Sequence, residues 1–209
     1  MTALAAAVLK TARAMNQRGI NRGAAGNVSA RSSGGFLITP TGLAYEDMSA
    51  ADIVAMAMDG SYAGARKPSS EWRFHRDIYA QRPEAGAVIH SHAPFATSLA
   101  CMGLTIPPFH YMIARFGGPD LRCARYATFG SQELSDAVLE ALSERRACLM
   151  AHHGMVVFGA DLEQALALAG ELESLCEQYW RVLQLGAPRL LADAEMIRVL
   201  EKFGSYGQQ

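Results

Sequence analysis

Two histidine clusters carry the chemistry this sequence can do. The first is Val88-Ile89-His90-Ser91-His92; the second is His152-His153-Gly154, at the end of the apolar run Cys148-Leu149-Met150-Ala151. Val88 and Ile89 read as the end of a buried strand. His90 and His92 stand two positions apart, so an extended backbone turns both imidazoles to one side. Neutral imidazole suits zinc, and a catalytic zinc takes three protein ligands and keeps one position open. A His-x-His pair alone is as compatible with ordinary core or surface histidines as with a metal. The second cluster supplies the missing third ligand and tips the reading to a metal site.

A second signal is Pro68-Ser69-Ser70-Glu71-Trp72-Arg73-Phe74-His75. Ser69 or Ser70 can cap a helix that runs to about Gln81 and stops before Pro83. Hydroxyls, backbone N–H groups and the positive end of a helix together suit an anion. Glu71 falls in the first turn, where it either complements the helix dipole or serves as a general base beside the metal. His75, one turn later, reads as structural. The loop Gly23 to Ser29 turns sharply and exposes backbone N–H groups. It can hold a phosphate or be a plain turn. Taken alone the turn is preferred, because the spacing of a P-loop or dinucleotide fingerprint is missing.

These residues need a scaffold. Ala3 to Gln17 has the apolar spacing of an amphipathic helix, with Leu4, Val8, Ala12 and Met15 on one side. Phe36 to Thr39 is a short strand ended by the turn Pro40-Thr41-Gly42. Ser49 to Asp52 resembles a capping box opening one helical turn. Ile53 to Met58 is a strand, and Asp59-Gly60 a hairpin turn. Glu84 to His92 holds the metal strand, and Pro94 to Cys101 a short helix. Pro107 to Met112 is irregular and aromatic; on residue type alone Tyr111 reads as packing. Ser131 caps a helix over Gln132 to Glu144, which Arg145-Arg146 closes. Ala147 to Phe158 is two strands meeting near the histidines. Asp161 opens a long helix with an apolar stripe from Leu162 to Leu183, ended by Gly186 and Pro188. Glu195 to Lys202 is the last helix, and Phe203 to Gly207 a frayed end or a flap. The mixture predicts an α/β fold: a single domain over residues 1–209, with a central, mostly antiparallel (mixed) sheet flanked by helices.

The chain has 209 residues, half of them hydrophobic, with a formal net charge of -1. That length suits one well-buried core, and the balance lacks the basic footprint of nucleic-acid binding. No apolar run reaches membrane-spanning length. The apolar N-terminus lacks a preceding basic region, so no secretory signal is expected. The four cysteines form no CxxC pair and read as reduced thiols of a cytoplasmic protein.

Taken together, Gly26-Asn27-Val28-Ser29, Ile38-Thr39-Pro40-Thr41-Gly42, Pro68-Ser69-Ser70-Glu71, His90-Ser91-His92 and His152-His153-Gly154 resemble the class II aldolase/adducin family, most of all its bacterial L-fuculose-1-phosphate aldolase branch. The segments Ser69 to His75, His110 to Ala114, Tyr126 to Gly130 and Val199 to Tyr206 extend the resemblance, which runs from about Gly19 to Tyr206. It implies that His90, His92 and His153 bind one Zn2+ per subunit, or another divalent metal, with His152 outside the ligand set. It implies Glu71 as acid/base and Asn27, Thr41, Gly42, Ser69 and Ser70 as phosphate holders. Tyr111 would reach the site of a neighbouring subunit and serve the aldehyde-derived oxygen. Phe129 and Tyr206 would line the aldehyde pocket. Relatives assemble as homotetramers with sites at subunit interfaces.

The implied reaction is cleavage of a ketose 1-phosphate, L-fuculose 1-phosphate or a deoxy- or methylthio-sugar phosphate, to dihydroxyacetone phosphate and an aldehyde through a metal-stabilised enediolate. No Schiff-base lysine is then required, and the lysines, Lys10, Lys67 and Lys202, lie outside the motifs. The alternatives are a same-family decarboxylase of a 3-oxo-acid phosphate, using Arg115 or Arg125 for the carboxylate, a pentulose phosphate epimerase or dehydratase, and a non-catalytic scaffold.

Overall fold

The structure is a computed structural model and describes residues 2–205. The helices are α1 (Ala3–Gln17), α2 (Trp72–Gln81), α3 (Pro94–Cys101), α4 (Gln132–Ala141), α5 (Leu162–Leu185) and α6 (Asp193–Ser205). The strands are β1 (Asn27–Ser32), β2 (Gly35–Ile38), β3 (Val54–Ala57), β4 (Tyr62–Ala63), β5 (Ala87–Ser91), β6 (Cys123–Ala124), β7 (Ala147–Met150) and β8 (Gly154–Gly159). They form one sheet in the order β4-β3-β2-β1-β5-β8-β7-β6. Each neighbouring pair is antiparallel except β6 and β7, which run parallel. The α/β class and the mostly antiparallel, mixed sheet agree with the sequence reading.

Alternation along the strands divides the core in two. Val28, Ala30, Ile89, Leu149, Met155 and Val157 face α1, α3 and α5. Phe36, Ile38, Val88, Cys148, Val156 and Phe158 face α2 and α4. Burying both faces of the central strands explains why β5, β7 and β8 read as continuous apolar runs.

Several expected caps are in place. The Asp161 carboxylate accepts the Gln164 N–H at 2.8 Å, and the Ser131 hydroxyl accepts that of Leu134 at 3.1 Å. Asp52 accepts both the N–H and the hydroxyl of Ser49. Several local readings change. The loop ending at Ser29 runs directly into β1, and β6 is a further short strand. Helix α2 starts at Trp72 with Glu71, not a serine, at its N-cap position. Arg145 does not close α4; it folds back to Asp120 at 2.8 Å and is almost fully buried. The aromatic stretch is irregular from Pro107 to His110 and then leads into a 3₁₀ segment, Tyr111–Phe116, against which α6 packs.

Candidate metal centre and active-site cleft

Antiparallel pairing places several element ends at one edge of the sheet. The start of β1, the end of β5 and the turn between β7 and β8 meet there, with the start of α2 packed over them. Gly26 lets this happen: a Cβ on it would lie 2.5 Å from the His90 carbonyl oxygen and 2.7 Å from Asn21 Oδ1. Tyr45, fully buried, donates its hydroxyl to the Gly26 carbonyl and ties the loop after Gly42 to the same corner. The turn carrying the second histidine cluster requires a left-handed residue, and His152 adopts φ 55°. That turn leaves His152 exposed beside Tyr126 and sends His153 inward.

The three predicted metal histidines converge. One ring nitrogen from each of His90, His92 and His153 lies within 4.8 Å of the others. His90 Nε2 and His92 Nε2 are 3.1 Å apart. Glu71 completes the group, with Oε2 3.2 Å from His90 Nε2 and Oε1 3.1 Å from His153 Nε2. Those separations approach the ~3.3 Å edge of a tetrahedron built on bonds of about 2.0–2.1 Å to zinc.

The protonation pattern suits a metal. His90 Nδ1 donates to the Met155 carbonyl at 2.9 Å, which leaves its Nε2 lone pair facing the centre. Burial and the imidazoles of His90 and His153 push His92 down to about 4, so it stays neutral. Burial pushes the Glu71 carboxyl up, but His90 and His153 beside it more than reverse this, and it stays ionised. Glu71 Oε1 is buried and has no hydrogen-bond partner among the described residues. A buried anionic oxygen without a donor, beside three convergent imidazoles, fits a divalent cation.

A cleft of about 310 Å³ opens over this centre, lined by Ala25, Ser70, Glu71, His92, His153 and an outer wall of Tyr126, Ala127, Phe129 and His152. Phe129 lines the cleft, and Tyr126 and His152 join it. The segment Tyr126 to Gly130 carried the only signal for Tyr126 in the sequence. Arg73 fixes this wall by donating to the Gly130 carbonyl at 2.7 Å.

The expected phosphate residues gather beside the cleft. Pro40 bridges to Pro68, and the Thr41 N–H donates to the Lys67 carbonyl at 3.1 Å, which brings Thr41 and Gly42 next to Ser69 and Ser70. Thr41, Gly42 and Ser70 are exposed, while Ser69 is buried and accepts the Glu71 N–H at 3.3 Å. Asn27 is buried with both ends of its amide engaged: Nδ2 donates to Glu71 Oε2 at 3.0 Å, and Oδ1 accepts from His75 Nε2 at 2.5 Å. Tyr111 is half-exposed on the 3₁₀ segment, stacks on Phe203, and does not line its own chain's cleft. Tyr206 lies outside the described residues. Arg115 and Arg125 are paired with Glu171 and Glu140 and stay out of the cleft.

Known proteins match this arrangement along the whole chain. Residues 6–180 fit the family described as Class II Aldolase and Adducin N-terminal domain. A 5-methylthioribulose-1-phosphate/5-deoxyribulose-1-phosphate aldolase of Rhodospirillum rubrum is 54% identical over 98% of this chain and 93% of its own. An L-fuculose phosphate aldolase of Escherichia coli O6:H1 is 46% identical over 98% of this chain and 95% of its own. A solved L-fuculose 1-phosphate aldolase superposes with a TM-score of 0.94 at 34% identity, over 98% of this chain and 97% of its own. The matched region holds the three histidines and Glu71. The chain belongs to the class II aldolase and adducin family, and it is a metal-dependent aldolase of that family.

Proposed function

We propose that this enzyme uses zinc to cleave a ketose 1-phosphate, with 5-methylthioribulose 1-phosphate or 5-deoxyribulose 1-phosphate as the leading substrates and L-fuculose 1-phosphate as the next. The products are dihydroxyacetone phosphate and an aldehyde. The observation that carries the reading is the convergence of His90, His92, His153 and Glu71 at the floor of a single cleft. The substrate order follows the names and identities of the two relatives.

His90, His92 and His153 hold the metal. When bound, it supplies Lewis-acid stabilisation of the negative charge left when the bond between C3 and C4 breaks. Glu71, ionised and facing the cleft, takes the C3 proton of dihydroxyacetone phosphate in the condensation direction, and in cleavage its protonated form returns that proton to C3. Thr41, Gly42, Ser69 and Ser70 hold the phosphate at the start of α2, with Asn27 beside them. That anchoring keeps the reacting carbons over the carboxylate. Phe129 and Tyr206 line the aldehyde pocket. In condensation Tyr111 of the partner subunit gives its phenol proton to the aldehyde-derived oxygen, and in cleavage its phenolate takes that proton back from the C4 hydroxyl. Solvent carries a proton between Glu71 and the partner's Tyr111 from one turnover to the next. A half-exposed tyrosine that does not line its own chain's cleft supports this role. The protein then works as a homotetramer with sites at subunit interfaces.

No lysine competes for the role of Schiff-base nucleophile. Lys10, Lys67 and Lys202 are all exposed and none lines the cleft. Neither Arg115 nor Arg125 lines this chain's cleft, which favours the aldolase over the decarboxylase, a reaction that needs a cation for its substrate's carboxylate.

The test is product identification with zinc-loaded protein and a panel of ketose 1-phosphates. The expected outcome is release of dihydroxyacetone phosphate, fastest from the 5-methylthio or 5-deoxy compound. Release of carbon dioxide from a 3-oxo-acid phosphate, with no dihydroxyacetone phosphate from any ketose 1-phosphate, would replace this reading with the decarboxylase.

A further inference from the structure

Beneath the cleft lies a set of polar side chains that neither the metal nor the phosphate reading uses. Ser29, His75 and Tyr79 are all at most 2% exposed. Helix α2 supplies His75 and Tyr79, and Glu71 precedes them by one more turn, so the three form a stripe at a spacing of four. Strand β1 supplies Asn27 and Ser29, two apart and therefore on one face. The two rows interlock. Tyr79 Oη lies 2.7 Å from Ser29 Oγ, and Ser29 Oγ lies 2.6 Å from His75 Nδ1. His75 Nε2 lies 2.5 Å from Asn27 Oδ1, and Asn27 Nδ2 lies 3.0 Å from Glu71 Oε2.

We propose that Tyr79, Ser29, His75 and Asn27 form a one-directional hydrogen-bond relay that fixes the Glu71 carboxylate, committing Oε2 to the protein and leaving Oε1 as the oxygen that handles the proton. The inference rests on the assignment of Glu71 as acid/base. It makes His75 and Asn27 positioning residues.

The direction follows from the donor inventory. Asn27 gives its N–H to Glu71, so it turns its carbonyl oxygen to His75. A carbonyl only accepts, so His75 must carry its proton on Nε2. Its Nδ1 is then an acceptor, and Ser29 must donate to it. The single Ser29 hydrogen is thereby used, and Tyr79 must donate to Ser29. Every link points toward Glu71.

Packing alone does not call for such a chain. An unsatisfied buried polar group costs about 1–3 kcal/mol, so four of them in a core demand a complete set of partners that aliphatic side chains would not need. The relay also explains the asymmetry of the carboxylate. Oε2 takes the Asn27 donor, whereas Oε1 has no hydrogen-bond partner among the described residues. Without the His75 N–H the Asn27 amide is free to turn over. Its oxygen would then face Glu71 Oε2, and the carboxylate would swing away.

The test compares H75L, H75Q and E71Q in the zinc-loaded full chain, with kcat, KM, zinc content and melting temperature read for each. Leucine fills the space and donates nothing; glutamine keeps an N–H that reaches toward Asn27. H75L should lose kcat by about 10- to 100-fold, the scale of an outer-shell partner, with KM and zinc content near wild type. H75Q should recover most of the loss. Equal losses in H75L and H75Q that track melting temperature would reduce His75 to a packing role and overturn the relay, as would wild-type kcat in H75L. If H75L does not fold, nitrogen NMR of His75 in the wild-type enzyme decides. A proton on Nε2 is expected, and one on Nδ1 reverses the chain and sinks the proposal. An inactive E71Q beside an active H75L would remove the relay alone, whereas a fully active E71Q would remove both the base and the relay.

Discussion

Glu71 Oε1 and His153 Nε2 stand 3.1 Å apart at the floor of the cleft, yet no hydrogen bond joins them. An ion-pair contact without a hydrogen bond leaves both atoms open to a third partner. His90 and His92 meet in the same place, their Nε2 atoms within hydrogen-bond distance at 3.1 Å while His90 Nδ1 is held by the Met155 carbonyl. The centre is thus prepared by its surroundings before any ion arrives.

Loss of any one histidine should therefore release the metal. H92A and H153A are the cleaner variants, because both side chains are only partly buried and their removal leaves the core intact. Each should weaken zinc binding by more than the ~10- to 100-fold typical of outer-shell changes. Zinc content after dialysis measures this; a full equivalent retained by both would mean the ligands lie elsewhere.

Glu71 has a separate role. E71Q keeps the shape and removes the charge, so zinc content should persist while turnover falls by about 10²–10⁴-fold, the range for loss of a general acid/base. Steady-state kinetics at saturating substrate is the readout. Wild-type turnover would strip Glu71 of its assignment.

Backbone proximity gives a third expectation. Gly154 follows His153 directly, and a Cβ on it would lie 2.4 Å from the Ser91 carbonyl oxygen and 3.1 Å from His92 Cδ2. The obstacle is backbone rather than a flexible side chain. G154A should cost about 1–3 kcal/mol, the scale of overpacking, and weaken zinc binding because the histidine turn must shift. Denaturant midpoints and zinc titration check both; a variant with unchanged metal affinity would show that the turn tolerates the shift.

Acid should unfold the metal-free protein partly through His75. Burial, and the His90 imidazole nearby, push His75 down to about 3 from its usual 6.5. The unfolded chain therefore binds a proton that the folded chain refuses. This contribution is complete above about pH 6.5 and is lost as pH falls toward about 3, at up to ~1.4 kcal/mol per pH unit. Urea unfolding with chelator present, from pH 7 to 4, should show a shallower pH slope for H75Q than for wild type. Parallel slopes would mean that His75 does not titrate this way.

The parts of this fold that were legible in the sequence are those where one local rule decides. Helix α1 follows from its apolar spacing, and α4 and α5 from Ser131 and Asp161 at their starts. The histidine pair of β5 follows from strand alternation. Strand β1 was hidden because Asn27 and Ser29 are polar yet buried. Their partners, Glu71, His75 and Tyr79, come from a helix more than forty residues away, and no local pattern announces that pairing. The same distance effect moved the start of α2. Ser69 has its N–H bonded to the Thr39 carbonyl and stays outside the helix, so Glu71 takes the boundary position and its side chain is free to face the metal site. Arg145 looked like a helix-terminal cation; only the fold brings Asp120 to it. Tyr111 is exposed and stays out of its own chain's cleft, and its proposed place at a partner's site is one that no single-chain rule supplies.

The most direct measurement is metal removal and return. The enzyme is stripped with a chelator, assayed for dihydroxyacetone phosphate release from 5-methylthioribulose 1-phosphate, and titrated back with zinc. A parallel sample is treated with borohydride in the presence of substrate. Activity should vanish on stripping, return in proportion to zinc, saturate at one equivalent per chain, and survive borohydride. Full activity in the stripped protein, or inactivation by borohydride with substrate trapped on a lysine, would contradict a metal centre built on His90, His92 and His153.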